Sequence, residues 1–285
     1  VPDLVAADLG LGQMFVTATS IDVMAKGVAK FNAQCRQSVL EHVSEFAELT
    51  QRLGYWVDMD SAYFTMSPEY VDSVWWSLQR IFEKGLLVQD HRVTPYCPRC
   101  GTGLSDHELG QPGGYETVTD PAVFVRMPLV GGDLAQQYPG LALLVWTTTP
   151  WTLVSNTACA VNRDLTYAVA QSGDDSPLVI AAELVKTVLG EDAKVLQTVP
   201  GSDLVGLAYQ RPLVWVDFPE TEAPLHTVLA ADFVTADEGT GVVHEAPAFG
   251  AEDLTLCRSY GLPVVNPIGA DGCFNSAVPV VGGQF

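Results

Sequence analysis

The sequence predicts a mixed α and β protein: a helical N-terminal part followed by a β-barrel-like module. Three observations carry that expectation. Apolar residues recur at steps of three and four up to about residue 85. From about residue 116 the pattern changes to short β-prone runs separated by Pro, Gly and Asp clusters. Between the two, Gln111-Pro112-Gly113-Gly114 punctuates the chain. The expected division is residues 1–110, residues 116–270, and a segment 271–285 that begins the exit from the second domain. A chain of 285 residues with 48% hydrophobic content can build more than one core.

The helical part contains two clear segments. Val28, Phe31, Cys35, Val39, Val43, Phe46, Leu49 and Leu53 mark one face of a single long helix, which Gly54 stops. A second helix opens at Ser67-Pro68, an N-cap residue followed by proline in the first turn. It directs Val71, Val74, Trp75, Leu78, Ile81 and Phe82 inward and ends at Gly85. Trp75 and Trp76 read as a core residue and its half-exposed neighbour. Strand-like runs then occupy residues 122–127, 141–145, 167–169, 178–180, 213–216, 228–229 and 241–243. Helices are expected near 181–189 and 251–260. Many short strands with few helices argue for a barrel or sandwich.

Composition excludes several classes. No apolar run approaches the roughly 18 residues that span a bilayer. The N-terminus carries Asp3 and Asp8 and no basic residue before Lys26, unlike a signal peptide. Cys35, Cys97, Cys100, Cys159, Cys257 and Cys273 are scattered, as in a reduced cytoplasmic protein. The net charge of -20 lacks the basic patch of a nucleic-acid binder. Beyond residue 127 the only cations are Arg163, Lys186, Lys194, Arg211 and Arg258. Any polyanion is therefore gripped elsewhere, or only its tip enters this chain. A salt-adapted source is the other explanation of such a surface.

Two segments carry chemistry. In Trp146-Thr147-Thr148-Thr149-Pro150-Trp151-Thr152 a strand delivers a row of hydroxyls between aromatic walls. Such hydroxyls both donate and accept, and suit a polar substrate or an oriented water. An ordinary β edge is the alternative, since Thr and Trp favour strands. The second segment, residues 239–253, opens with Gly239-Thr240-Gly241, continues to His244 at a strand end, and places Asp253 in the first turn of a helix. Gly239 and Gly241 permit a tight turn. Asp253 is also ordinary helix-dipole chemistry, and a lone His at a strand end is commonly structural. Cys97-Pro98-Arg99-Cys100 resembles half of a zinc knuckle, because zinc takes four ligands and this motif supplies two. A redox motif is its rival, without a thioredoxin-like pattern around it. No Gly-rich phosphate loop, nucleophile elbow or Ser-His-Asp set occurs, and nothing marks the Cys159 thiol as activated.

Taken together these residues resemble bacterial-type isoleucyl-tRNA synthetases, over the stretch spanning the family's inserted editing domain. The likeness runs through Gly54-Tyr-Trp-Val-Asp58, Ser73-Val-Trp-Trp-Ser-Leu78, Gly85-Leu-Leu87, Tyr96-Cys-Pro-Arg-Cys-Gly-Thr102, Leu104-Ser105, His107-Glu108, Asp120-Pro121, residues 146–153, Asn156 and residues 239–253. It is weakest over the first 25 residues and around 185–225. Leucyl and valyl relatives place an arginine within the corresponding threonine segment. Thr147-Thr148-Thr149-Pro150-Trp151-Thr152 has none and looks like the isoleucyl version.

The resemblance implies that residues 1–110 are the first half of a Rossmann-like class I catalytic domain with its zinc arm. Residues from about 116 onward are then the editing domain. The family's H-I-G-H-type and K-M-S-K-S-type motifs are absent. Its second zinc-type cysteine pair lies downstream of the editing domain. The chain thus reads as an internal fragment: ATP and magnesium serve the full-length enzyme, ligation is not expected of this chain, and the N-terminal third is poorly supported.

The implied activity is deacylation of valine mistakenly esterified to the 3′ end of tRNA(Ile). One methylene separates valine from isoleucine, worth only about 1–3 kcal/mol in a pocket, a general figure for which this family is itself a standard example. A second hydrolytic site answers that limit. By the resemblance, Asp253 anchors the α-ammonium, while Thr147, Thr148, Thr149 and Thr152 line the pocket and help orient water. His244 shapes the wall or hydrogen-bonds the substrate. Trp146, Asn156, Gly239, Thr240 and Gly241 complete the binding set, and Cys97 and Cys100 supply the half zinc site. The rivals are an inactive truncated fragment, an editing domain of a valyl or leucyl relative, and a redox or metal module resting on the cysteine pair.

Overall fold

The computed structural model describes residues 27–285. The chain forms two compact units, Val1–Asp90 and His91–Phe285. The first unit, over its described residues, contains helices only: α1 (Val28–Leu40), α2 (Val43–Arg52) and α3 (Pro68–Glu83). The long helix expected over 28–53 is therefore two. His42 leaves the helical region at φ -115° and ψ 20°, and the Glu41 N–H reaches only to the Ser38 carbonyl. His42 then faces Glu45 in the first turn of α2, 3.2 Å away. The second helix follows expectation. Ser67 Oγ accepts from the Tyr70 N–H, Pro68 opens α3, and Gly85 at φ 69° ends it.

The inward face expected on α3 is not buried. Neither α2 nor α3 contains a buried residue, and Trp75 and Phe82 are each 66% exposed. Among the described residues of this unit no element covers that apolar stripe, so its burial requires a partner outside them.

The second unit begins earlier than the Gln111–Gly114 punctuation. A hairpin of β1 (Tyr96–Cys97) and β2 (Thr102–Gly103) precedes α4 (Asp106–Leu109), whose Ser105 and Glu108 form a capping box. This segment is tied to the end of the chain: the Tyr96 hydroxyl donates to the Ala270 carbonyl, and Arg258 Nη2 donates to the His91 carbonyl. Residues 271–285 also fold back, with Phe274 and Val278 packed against Val154.

A six-stranded sheet follows the order β8-β6-β7-β4-β3-β9. Its strands are β3 (Val123–Val130), β4 (Ala142–Thr147), β6 (Thr166–Gln171), β7 (Leu178–Ala181), β8 (Lys194–Pro200) and β9 (Ala208–Tyr209). Only β4 and β7 pair in parallel. A second sheet, β10-β5-β11, joins β5 (Ala158–Val161) to β10 (Val228–Ala230) in parallel and to β11 (Val243–Glu245) antiparallel. The bridge Ala208–Thr227 ties the edge strand β9 to the chain entering β10, so the strands curl into a half-barrel. Met127, Leu143, Val145, Tyr167, Val169 and Ile180 fill its interior with Cys159, Val161 and Val228 from the smaller sheet.

Short helices α5 (Asp133–Gln137) and α6 (Val185–Leu189) cap turns, and α7 (Ala251–Ser259) lies close to its expected range. The run 213–216 is not a strand. Leu213, Trp215 and Val216 instead pack as irregular chain against Val154 and Phe274. No helix among the described residues is long and apolar enough to cross a membrane.

Candidate functional site

One end of β4 carries Trp146 and Thr147. The chain then turns through Thr148 and Thr149 into a 3-10 turn, Pro150–Ser155, that presents Thr152 and ends at Asn156. Antiparallel pairing of β5 with β11 sets His244 opposite Cys159 and Glu245 opposite Ala158. Beyond β11, Pro247 and Gly250 turn the chain into α7, with Asp253 in its first turn. Two distant segments thereby face one cavity of about 240 Å³, lined by Trp146, Thr147, Thr149, Thr152, His244 and Asp253 with Val243, Ala246, Phe249 and Gly250.

The hydroxyls form a connected row. Thr147 Oγ1 accepts from the Thr149 N–H at 3.1 Å and lies 3.3 Å from Thr149 Oγ1. Thr152 donates its hydroxyl proton to the Thr149 carbonyl at 2.8 Å. Since a hydroxyl has one proton, Thr152 Oγ1 must accept from His244 Nε2, 2.8 Å away. His244 Nδ1 then accepts from Asn156 Nδ2 at 3.1 Å. This arrangement requires a neutral imidazole protonated on Nε2. Burial drives the same way, pushing the His244 pKa down to about 4.

Asp253 is the acid of the site. Its Oδ2 accepts the Ala246 N–H at 2.8 Å, which favours the carboxylate. Burial works against the charge and dominates, holding the pKa above its ordinary value. A partly desolvated carboxylate with one free oxygen is suited to a cation. Gly250 makes room for it, because a Cβ there would overlap the Asp253 carboxylate.

The remaining expected residues act at one remove. Thr148 is exposed and does not line the cavity. Asn156 is buried behind His244. Gly239, Thr240 and Gly241 do not line the cavity either, because their turn packs against the sheet. Gly239, at φ 73°, lies against the Trp146 ring, where a Cβ would come within 3.1 Å. Gly241, at φ 72°, touches Ala181, and its carbonyl accepts the Tyr167 hydroxyl at 2.7 Å. Thr240 gives its carbonyl to the Ala181 N–H at 2.9 Å. The turn thus fixes where β11 starts. Cys159 is fully buried, and burial pushes its thiol far up, so it stays protonated.

Sequence reasoning missed Phe249 and Ala246 in the wall and Tyr209 behind it. The composition of residues 239–253 points to the neighbourhood of the first two. No local signal marks Tyr209, whose partner Asn156 is 53 positions away.

Cys97 and Cys100 share the β1–β2 turn, and the Cys100 N–H donates to Cys97 Sγ at 3.4 Å. That N–H holds the Cys97 thiol below its ordinary pKa. Two thiols are half of a tetrahedral zinc set. No group of three or more His, Cys, Asp or Glu side chains able to hold a metal exists among the described residues. These residues alone therefore do not fit a complete zinc site.

The profile for tRNA synthetases class I (I, L, M and V) matches residues 5–149. An isoleucine–tRNA ligase of Streptomyces coelicolor is 57% identical over 265 residues, which are 93% of this chain and 24% of that one. The ligase of Thermobifida fusca is 56% identical over the same shares. That of Thermus thermophilus is 45% identical over 88% of this chain and 23% of its own. The chain thus spans about a quarter of the length of these curated relatives. Among solved structures, the P. knowlesi cytosolic leucyl-tRNA synthetase editing domain matches at TM-score 0.36 and 13% identity, over 50% of this chain and 67% of that one, too loosely to assign a role. With half of its length matched by the family profile and relatives this similar, the chain belongs to the class I tRNA synthetases of the I, L, M and V group.

Proposed function

We propose that this chain carries a hydrolytic proofreading site that deacylates valine esterified to the 3′ end of the tRNA for isoleucine. The observation that carries the reading is the meeting of one carboxylate, Asp253, with three threonine side chains, Thr147, Thr149 and Thr152, around a single cavity of about 240 Å³. An aminoacyl ester offers one cation, its α-ammonium, and one electrophile, its carbonyl carbon.

Asp253 takes the ammonium through its second oxygen, while the Ala246 N–H holds the first. The threonine hydroxyls position a water against the carbonyl. Water oxygen bonds to the carbonyl carbon, the bond to the ribose oxygen breaks, and the proton released by water ends on that oxygen. The products are free valine and a tRNA with an intact terminal hydroxyl. His244, neutral and bonded at both nitrogens, serves as a wall and a fixed acceptor–donor pair rather than as an acid. An aminoacyl ester is already activated, so positioning and hydrogen bonding suffice without a dedicated base. A net charge of -20 is compatible with this task because only the tip of the RNA enters the cavity.

The test is deacylation of valyl-tRNA for isoleucine by the full 285-residue chain, with the Asp253→Ala variant beside it. Hydrolysis by the wild type and its loss in a folded variant are expected. A wild type without activity, or a variant with full activity, overturns the reading.

A further inference from the structure

Behind the cavity wall lies a residue with no contact to the cavity itself. Tyr209 ends the short edge strand β9 and is 3% exposed. Its hydroxyl donates to Asn156 Oδ1 at 2.6 Å. Asn156 is buried too, and each end of its amide is committed. Oδ1 receives the tyrosine proton, and Nδ2 donates to the Ala158 carbonyl at 3.0 Å and to His244 Nδ1 at 3.1 Å. An amide nitrogen only donates, so Nδ1 must be bare and the ring proton must sit on Nε2. Nε2 faces Thr152 Oγ1, whose own proton is given to the Thr149 carbonyl. Five groups therefore form one directed chain, Tyr209 to Asn156 to His244 to Thr152 to Thr149, with its last members on the cavity.

We propose that Tyr209 is a positioning residue for deacylation: it caps Asn156 Oδ1, thereby fixing the His244 tautomer and the direction in which the Thr152 hydroxyl points. Without the cap, Asn156 Oδ1 loses its hydroxyl donor in a dry core, a costly state that is relieved when the amide turns over, gives up its Nδ2 bond to the Ala158 carbonyl, and accepts through Oδ1 a ring proton that has moved to His244 Nδ1. Nε2 then accepts, the Thr152 hydroxyl turns toward it, and the Thr149 carbonyl keeps only the Thr152 N–H. The His244–Thr152 hydrogen bond reverses its direction, although no lining residue has changed.

The experiment compares the full chain with its Tyr209→Phe variant in two measurements. The kinetic one rests on the proofreading reading. The spectroscopic one does not, so a wild type that fails to deacylate would remove that reading and leave this one to be decided by the spectrum. Long-range proton–nitrogen spectra of chain labelled in its five histidines report the tautomer of each ring, with His244 assigned by its disappearance in His244→Gln. The wild type is expected to carry its His244 proton on Nε2. In Tyr209→Phe the two nitrogen shifts exchange as the proton moves to Nδ1, and kcat falls roughly tenfold with KM within about twofold, as expected when alignment rather than binding is lost. Retention of the wild-type tautomer in the variant, or an unchanged kcat, overturns the proposal. Should Tyr209→Phe fail to fold, the wild-type spectrum decides alone: a His244 proton on Nδ1 contradicts the directed chain, and one on Nε2 upholds it.

Discussion

The Ala246 N–H donates to Asp253 Oδ2 at 2.8 Å, so the strand that ends in His244 and Glu245 also holds the acid at the head of α7. One backbone amide thus couples the two halves of residues 239–253. Asp253→Asn tests charge separately from this geometry. The amide retains a carbonyl oxygen for Ala246 but cannot balance an ammonium. Deacylation is expected to drop about hundredfold or more, the scale of removing one partner of a desolvated charge pair. Single-turnover hydrolysis with thermal melting as a folding control measures it, and a drop below about threefold would remove Asp253 as the anchor.

Glu245, fully buried, has no hydrogen-bond partner for either side-chain oxygen among the described residues. Burial, reinforced by Asp253 and Glu252, raises its pKa to about 9. The folded state therefore binds a proton that the unfolded state has released above about pH 4.5, and stability falls as pH rises through the interval up to 9. At pH 7 the cost is roughly 3 kcal/mol. Glu245→Met, similar in length and without oxygens, is expected to raise stability at pH 7 by about 1–3 kcal/mol. Urea denaturation settles it, and a destabilised variant would contradict the assignment of a neutral buried acid.

His244 gives the opposite slope. Its folded pKa of about 4 lies below the ordinary 6.5, so its contribution is complete above pH 6.5 and declines as pH falls toward 4. Between about pH 5 and 6.5 the two groups cancel, and the wild type should show little dependence on pH from them. In Glu245→Met the opposing Glu245 slope is gone, and the His244 contribution should fall by roughly 2 kcal/mol from pH 6.5 to pH 5. Denaturation curves across that range for both proteins are the measurement, and equal slopes would refute the cancellation.

Gly241 adopts φ 72°, and a Cβ there would lie 2.5 Å from Ala181 Cβ. Gly241→Ala is expected to cost about 2–4 kcal/mol from the backbone conformation and the overlap together. Because the turn sets the start of β11, the variant should lose deacylation in parallel with its stability. A variant as stable as the wild type would mean that the turn has another way to relax.

Much of this arrangement was readable from residue order. The threonine row and residues 239–253 announced themselves by composition, and the structure brings both to one cavity. Local signals failed where packing decides. Strand β5, Ala-Cys-Ala-Val, looks like no strand because small residues carry weak β preference, yet it is the centre of the second sheet. Residues 213–216 form a continuous β-prone apolar run but find no ladder, and Leu213, Trp215 and Val216 instead pack around Phe274. The helical break at His42 and the open face of α3 are also invisible to periodicity, which reports which face is apolar but neither where a helix ends nor what covers it. Tyr209 lay hidden for the same reason: its meaning depends on an amide far away in sequence.

Strand β5 has a kinetic consequence. Both of its neighbours, β10 and β11, are supplied by chain that is synthesised long after it, and one of those pairings is parallel. Long-range parallel pairing is slow to form, because the loop must close before any ladder bond rewards it. His244 and Asp253 therefore reach the threonine row only as the last strand docks. On dilution from urea, helical signal should return first, and the ability to cleave an ester should lag behind it.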